Sequence, residues 1–298
     1  MTGKSPLFTL NNGVQMPALG LGVYQSGPEE TVGALATALA EGYRLIDTAA
    51  AYGNESEVGQ GIVQSGIDRS EVFVTTKLWI SDYGYDATLH AFDRSLRKLG
   101  LDYLDLYLLH WPVPTDFEAT IASWKAAEKL LADGRARAIG VSNFSAKHLD
   151  DLLVLTDVVP AVNQVELHPF FVQQPLQDAD ARHGIITQAW SPIGGVKRYG
   201  NADNGDVQDP LVHPVILGLA TKYGKTPAQI VLRWHIELGI SAIPKSVKTS
   251  RLAENIDIFD FSLSGEEVRA IAALDTGARG GPDPEQVNTQ LFNFKVED

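Results

Sequence analysis

Cysteine is absent from this 298-residue chain. Its absence excludes disulfides, thiol nucleophiles and thiolate metal sites, and is compatible with a reducing compartment. Positive charge is scarce: 24 Lys+Arg against 37 Asp+Glu leave a net charge of −13. Such a surface repels phosphate backbones and anionic lipid, so neither a nucleic acid nor a membrane is expected as partner. No apolar run reaches the roughly 18 residues of a spanning helix, and MTGKSPLFTLNNG lacks the apolar core of a secretion signal. A cytoplasmic location is the expectation. The dinucleotide fingerprint G-x-G-x-x-G is missing too, because Gly20-Leu21-Gly22 runs on into Val23, Tyr24 and Gln25. His168, His183 and His213 show no metal-ligand spacing, so no metal is expected.

What is present is a repeating alternation. After an N-terminal hairpin signalled by Asn12-Gly13, short apolar runs alternate with longer amphipathic ones. The runs are ALGLGVY, RLIDTA, VFVTTKLW, LDLYLLHW, ARAIGVSN, AVNQVELH, IITQAW and SAIPKS. Helices are predicted from Pro28 to Glu41, from Glu55, and over Ala87–Leu99, Thr115–Ala132, Ala146–Leu155, Gln174–Arg182, Pro214–Tyr223, Pro227–Leu238 and Arg251–Asn255. Strands apolar on nearly every residue are covered on both faces. The pattern therefore predicts an α/β fold, a (β/α)8 TIM barrel with an N-terminal β-hairpin and two extra helices, as one domain over residues 1–298. A long polar stretch from Ser191 to Pro210 reads as a functional loop, and the tail from Asp275 is expected across the barrel mouth.

Catalytic groups of such barrels project from the C-terminal strand ends, and here those ends are polar. They carry Asp47, Lys77, His110, Ser142-Asn143, Gln164, Trp190 and Lys245-Ser246. Asp47 and Lys77, on adjacent strands, can pair and offset the cost of burying either. A nearby ammonium is expected to lower the pKa of Tyr52, making that phenol a general acid, while His110 donates a hydrogen bond to a carbonyl oxygen. The hydride for a reduction has to come from a cofactor. Asn143 and Gln164 suit a carboxamide, Trp190 a flat ring, and Lys245, Ser246, Lys248 and Arg251, clustered at a helix start, a phosphate monoester. Tyr24, Trp79 and Trp111 are candidates for an apolar substrate pocket. Two other readings stay open at this point: a Schiff-base lyase using Lys77 or Lys245 as the amine, and a non-catalytic nicotinamide-binding subunit.

LNNGVQMPALGLGVY, GYRLIDTAAAYGNESEVG, TTKLW, DLYLLHWP, GVSNF, NQVELHP, QAWSPIGG and IPKSVKTSRLAEN occur in one order along the chain. In that order they resemble the aldo-keto reductase family, and tryptophan at 190 resembles its bacterial 2,5-diketo-D-gluconate reductase-like branch. The resemblance implies Asp47, Tyr52, Lys77 and His110 as the catalytic four. It implies that Ser142, Asn143 and Gln164 hold the nicotinamide amide, that Trp190 stacks on its ring, and that Ser191, Ile193 and Gly194 line the pyrophosphate. Lys245, Ser246, Val247 and Arg251 are implied for the 2′-phosphate, and Glu254 and Asn255 for the adenine. The implied cofactor is NADPH, the substrate a small dicarbonyl or a sugar-derived carbonyl, and the chain a monomer.

Overall fold

The structure, a computed structural model, describes residues 3–194 and 209–297. Most of the predicted loop from Ser191 to Pro210 therefore lies outside the described residues. Strands β1 (Leu7–Thr9) and β2 (Gln15–Pro17) form the expected antiparallel hairpin. Gly13 supplies the turn with a φ of 85°, which a residue without Cβ adopts readily. Eight parallel strands follow: β3 (Leu21–Gly22), β4 (Leu45–Asp47), β5 (Phe73–Leu78), β6 (Leu104–Leu109), β7 (Ala136–Ser142), β8 (Val162–Glu166), β9 (Ile186–Trp190) and β10 (Ser241–Ala242). Each pairs with the next in sequence. Parallel bridges from Leu19 to Ala242 and from Gly22 to Lys245 join the first to the last and close the (β/α)8 barrel. The first and last strands are shorter than their apolar runs because at the closing seam Pro244 has no N–H to give to the ladder.

The helices are α1 (Pro28–Glu41), α2 (Glu55–Ser65), α3 (Tyr85–Leu99), α4 (Phe117–Ala132), α5 (Ala146–Leu155), α6 (Gln174–Arg182), α7 (Pro214–Tyr223), α8 (Pro227–Glu237), α9 (Thr249–Ile256) and α10 (Gly265–Ala272). Proline opens α1, α7 and α8, where its missing N–H would have had no partner in any case. Helix α4 starts at Phe117 rather than Thr115 because Pro114–Asp116 form a 3-10 turn, and Asp116 then caps Ala119 N–H at 3.3 Å. The two helices beyond the barrel's eight are α7 and α10. The second was not located from sequence, although Ser264 and Glu267 form a capping box: Ser264 N–H donates to Glu267 Oε2 at 2.7 Å and Glu267 N–H to Ser264 Oγ at 3.3 Å. Among the described residues no helix is long and apolar enough to cross a membrane.

Alternation along each strand sorts two cores. Outward residues such as Ile46, Val74, Tyr107, Ile139 and Val165 pack under the helices. Leu45, Phe73, Leu106, Leu108, Ala138 and Val162 fill the barrel interior, with Leu10 and Met16 of the hairpin region packed among them. Moving two residues at a time toward the C-terminal rim, each inward row turns polar: Leu45 gives way to Asp47, Phe73 to Thr75 and Lys77, Leu108 to His110, Val162 to Gln164 and Glu166. Close packing also reaches the helical layer. A Cβ on Gly59 of α2 would lie 2.1 Å from the Leu99 carbonyl oxygen at the end of α3. Gly59→Ala is therefore expected to lower stability by about 1–3 kcal/mol through overpacking, even though alanine is the better helix former by about 1 kcal/mol. A urea unfolding midpoint at or above the parent's would contradict that close approach.

Candidate active site

The polar ends of the inward rows meet at the rim around a buried ion pair. Lys77 Nζ lies 2.6 Å from Asp47 Oδ1, with side-chain exposures of 0% and 2%. The ammonium also donates to the Thr48 carbonyl oxygen at 2.9 Å and to the Tyr52 hydroxyl at 3.4 Å, which accounts for its three protons. Asp47 Oδ2 accepts from Gln164 Nε2 at 2.7 Å, and the same amide donates to Gln188 Oε1 at 2.8 Å. Gln188 Nε2 in turn donates to Ser241 Oγ at 3.0 Å. A continuous polar chain thus crosses the barrel interior from Tyr52 to β10.

Local structure sets the phenol in place. After β4 the chain makes a 3-10 turn, Ala50–Tyr52, closed by Gly53 at φ 67°. Asn54 then ties the turn down, accepting from Thr48 Oγ1 at 2.7 Å and donating to the Val23 carbonyl at 2.9 Å. The Tyr24 ring lies 4.9 Å from that of Tyr52, and the His110 ring 5.8 Å away, edge-on.

Protonation here differs from the sequence expectation. Burial raises the Tyr52 pKa well above its ordinary value, and Asp47 and Tyr24 add to the shift. The expected lowering by Lys77 does not occur, because Asp47 at 2.6 Å offsets the ammonium's field before it reaches the phenol. Burial likewise pushes the Asp47 carboxyl up, against the pull of Lys77 and Gln164, and pushes the Lys77 ammonium down, against Asp47. Burial, helped by Lys77, holds the His110 pKa well below the usual histidine value. The imidazole is therefore neutral, with one ring nitrogen a donor and the other an acceptor.

The three candidate pocket residues do gather around this centre. Trp79 lies 5.2 Å from the His110 ring, and Trp111 stacks beside His110 at 6.1 Å. Two tail residues that sequence reasoning missed complete the wall. Phe294 stacks on Trp79 at 4.7 Å and accepts the indole N–H at its carbonyl (3.3 Å), while Phe292 lies parallel to Trp111 at 6.4 Å. The tail does cross the mouth, as expected. No short-range signal marks Phe292 or Phe294, since they come more than 180 residues after Trp111.

On the other side of the mouth, Asn143 adopts φ 64°, a left-handed conformation that asparagine tolerates. Its Nδ2 donates to the His110 carbonyl at 3.0 Å, and its Oδ1 accepts from Trp190 Nε1 at 2.9 Å. Ser142 Oγ donates to the Gln164 carbonyl at 2.7 Å. Ser191 and Gly194 both have positive φ, 48° and 74°, and Ile193 packs against the outer core. Past β10, Ser246 Oγ caps Lys248 N–H at 3.1 Å, Val247 is half-buried, and Arg251 stands exposed in the first turn of α9, a turn with no acidic residue. Asn255 is buried, but the Glu254 carboxylate is already engaged, accepting from Thr226 Oγ1 at 2.6 Å. Glu166 was also missed, although it sits two residues beyond Gln164 on the same inward row. It is fully buried and accepts from Gly280 and Gly281 N–H at 2.7 and 2.8 Å.

Residues 18–276 match the Aldo/keto reductase family. The chain is 59% identical to morphine 6-dehydrogenase of Pseudomonas putida over 293 residues, covering 98% of this chain and 99% of the relative. It is 47% identical to methylglyoxal reductase DkgA of Escherichia coli over 280 residues, 94% and 97% of the two chains. The crystal structure of a Bombyx mori aldo-keto reductase in complex with NADP superposes with a TM-score of 0.86 at 36% identity, covering 98% of each chain. The family match and the reductase relatives identify an oxidoreductase on a (β/α)8 barrel. The chain belongs to the aldo/keto reductase family.

A histidine whose folded-state pKa lies below its unfolded value of about 6.5 adds nothing to the pH dependence of stability above that value. It costs stability as the pH falls below it, where the unfolded chain takes up the proton first. The His110 imidazole is accordingly expected to keep its neutral NMR ring shifts through the pH range in which an exposed histidine takes up its proton, and His110→Gln to flatten the acid limb of the stability curve. Titration of the ring near the ordinary value would contradict the desolvated environment.

Proposed function

We propose that the chain reduces aldehydes and ketones to alcohols with NADPH, that Tyr52 is the general acid, and that Asp47, Lys77 and His110 complete the catalytic set. The observation that carries this reading is the contact of the Tyr52 hydroxyl with Lys77 Nζ at 3.4 Å, beside a neutral His110. The donor set fits the cofactor: Lys245, Lys248 and Arg251 gather at the start of α9, whose first turn carries no acidic residue, in a chain of net charge −13. They would hold the 2′-phosphate with Ser246 and Val247, while Ser191, Ile193 and Gly194 would line the pyrophosphate and Asn255, with Glu254, the adenine. Ser142, Asn143 and Gln164 would hold the carboxamide, and Trp190 would offer its face to the ring. When bound, NADPH supplies the hydride that the protein lacks.

The chain's own residues handle the oxygen. The neutral His110 ring donates a hydrogen bond to the substrate carbonyl and orients it toward Tyr52. As negative charge develops there, the Tyr52 hydroxyl gives up its proton to that oxygen. A raised phenol pKa does not block the step, because an oxygen taking on alkoxide character is a far stronger base than a phenolate. The phenolate that remains lies beside the Lys77 ammonium, which Asp47 keeps in place. Lys77 itself is a poor candidate for a Schiff-base amine, since its three protons are engaged and its side chain has no exposed surface.

The walls bear on the substrate. The Trp79 indole N–H is spent on the Phe294 carbonyl and the Tyr83 hydroxyl on the Trp111 carbonyl, so a polyol would leave many hydroxyls without partners. Small dicarbonyls and flat, apolar carbonyl compounds fit these walls better than sugar-derived ones. The methylglyoxal reductase relative supports the former. We place the enzyme in the cytoplasm, working as a monomer.

Tyr52→Phe is expected to lower kcat for carbonyl reduction by at least about 10³-fold, with the NADPH dissociation constant nearly intact. Undiminished turnover, followed through NADPH absorbance, would show the acid to be misassigned. Arg251→Ala is expected to raise the dissociation constant for NADPH about tenfold more than that for NADH; equal effects would sink the phosphate assignment.

A further inference from the structure

Glu166 is a fully buried acid that the chemistry above does not use. It ends β8, opposite Trp190 in the register of β9. Its two oxygens face successive tail amides, Oε1 accepting from Gly280 N–H at 2.7 Å and Oε2 from Gly281 N–H at 2.8 Å, and His168 Nε2 lies 3.1 Å from Oε1. A charged acceptor bridging two consecutive backbone donors is among the stronger hydrogen-bond arrangements a protein makes. The contact also fixes how close the tail comes to the rim. A Cβ on Gly281 would lie 2.5 Å from Trp190 Cη2 and 3.2 Å from Glu166 Oε2, so glycine is required for this approach. At the opposite end of the indole, Nε1 donates to Asn143 Oδ1 at 2.9 Å. The ring is thus held at both ends, by a polar contact from Asn143 just past β7 and by tail backbone that Glu166 pins down.

We infer that Glu166 is a positioning residue. Acting through Gly280 and Gly281, it sets the orientation of the Trp190 face offered to the nicotinamide ring, and so couples the tail that walls the substrate pocket to cofactor affinity. The inference rests on the reading of Trp190 as the stacking residue. The tail is well placed for such coupling because its far end carries Phe292 and Phe294 onto Trp111 and Trp79. Between these points Glu285 adds a second anchor, its Oε1 3.2 Å from His148 Nε2.

The test compares E166Q, G281A, W190A and the double variant G281A/W190A in the full chain. Hydrogen exchange of residues 275–297 is followed without NADPH, and NADPH affinity by fluorescence titration. E166Q replaces one acceptor with a donor facing an N–H, and G281A drives a methyl group into the indole. Each is expected to raise tail exchange about tenfold and to weaken NADPH binding about fivefold or more. In the double variant most of the extra effect of G281A on exchange is expected to vanish, because the nearest atom its methyl group meets, Trp190 Cη2, is gone and only the looser approach to Glu166 Oε2 remains. The inference is overturned if G281A loosens the tail equally with and without the indole. It is also overturned if E166Q and G281A bind NADPH like the parent while W190A binds it weakly. If W190A alone binds NADPH as tightly as the parent, the stacking reading itself has failed and the inference falls with it. Should E166Q not fold, G281A, on a half-exposed tail residue, answers the same questions.

Discussion

An ammonium with no exposed surface has to be surrounded on the protein's terms. Taking Lys77 out of water costs several kcal/mol, and leaving it with one partner missing costs about 3–5 kcal/mol. Every neighbour is accordingly committed: Asp47 at the end of β4, the Thr48 carbonyl, and the Tyr52 hydroxyl from the turn that follows. Asp47 passes the constraint to Gln164 on β8, four strands away, and Gln164 to Gln188. One buried charge thus ties together the turn that carries the proposed acid and the strand ends that carry the proposed amide-binding groups.

The barrel makes this affordable by dividing its interior into two levels. Below, Leu45, Phe73, Leu106, Leu108 and Val162 pack without polar atoms and are closed off by Leu10 and Met16. Above, at the same inward phase, stand Asp47, Lys77, His110, Gln164 and Glu166. The lower level supplies the hydrophobic stabilisation, roughly 25 cal/mol per Å² of apolar surface buried. The upper level spends part of it on desolvated polar groups that have to satisfy one another. Gly140 marks the tightness of the boundary, since a Cβ there would lie 2.7 Å from Leu108 Cδ2.

Protonation at the rim follows from the same desolvation. A lone ammonium would have drawn the Tyr52 pKa down; a compensated one leaves burial to push it up. The phenol is consequently a firm holder of its proton in the absence of a charged or strongly basic oxygen, and the imidazole beside it is a neutral donor. The tail adds the last element of this environment. By laying Phe292 and Phe294 over Trp111 and Trp79, it replaces water at the mouth with aromatic surface.

Much of this was legible in the chain itself, and for local reasons. Pro28, Pro214 and Pro227 announce helix starts, Asn12-Gly13 announces the hairpin, and apolar runs ending in Asp47, Lys77, His110 and Gln164 announce a loaded rim, because strand period and capping are short-range properties. The helix at Gly265 is just as local, since the Ser264 and Glu267 capping box lies within four residues of sequence. What periodicity could not reveal depends on distance through space. Glu166 holding Gly280 and Gly281, Phe294 stacked on Trp79, and the upward shift of Tyr52 each join segments tens to hundreds of residues apart. The order of residues determined the barrel and the identity of the groups at its rim. Only closure of the ring and the return of the tail decided which groups lose water, and with it how firmly each proton is held.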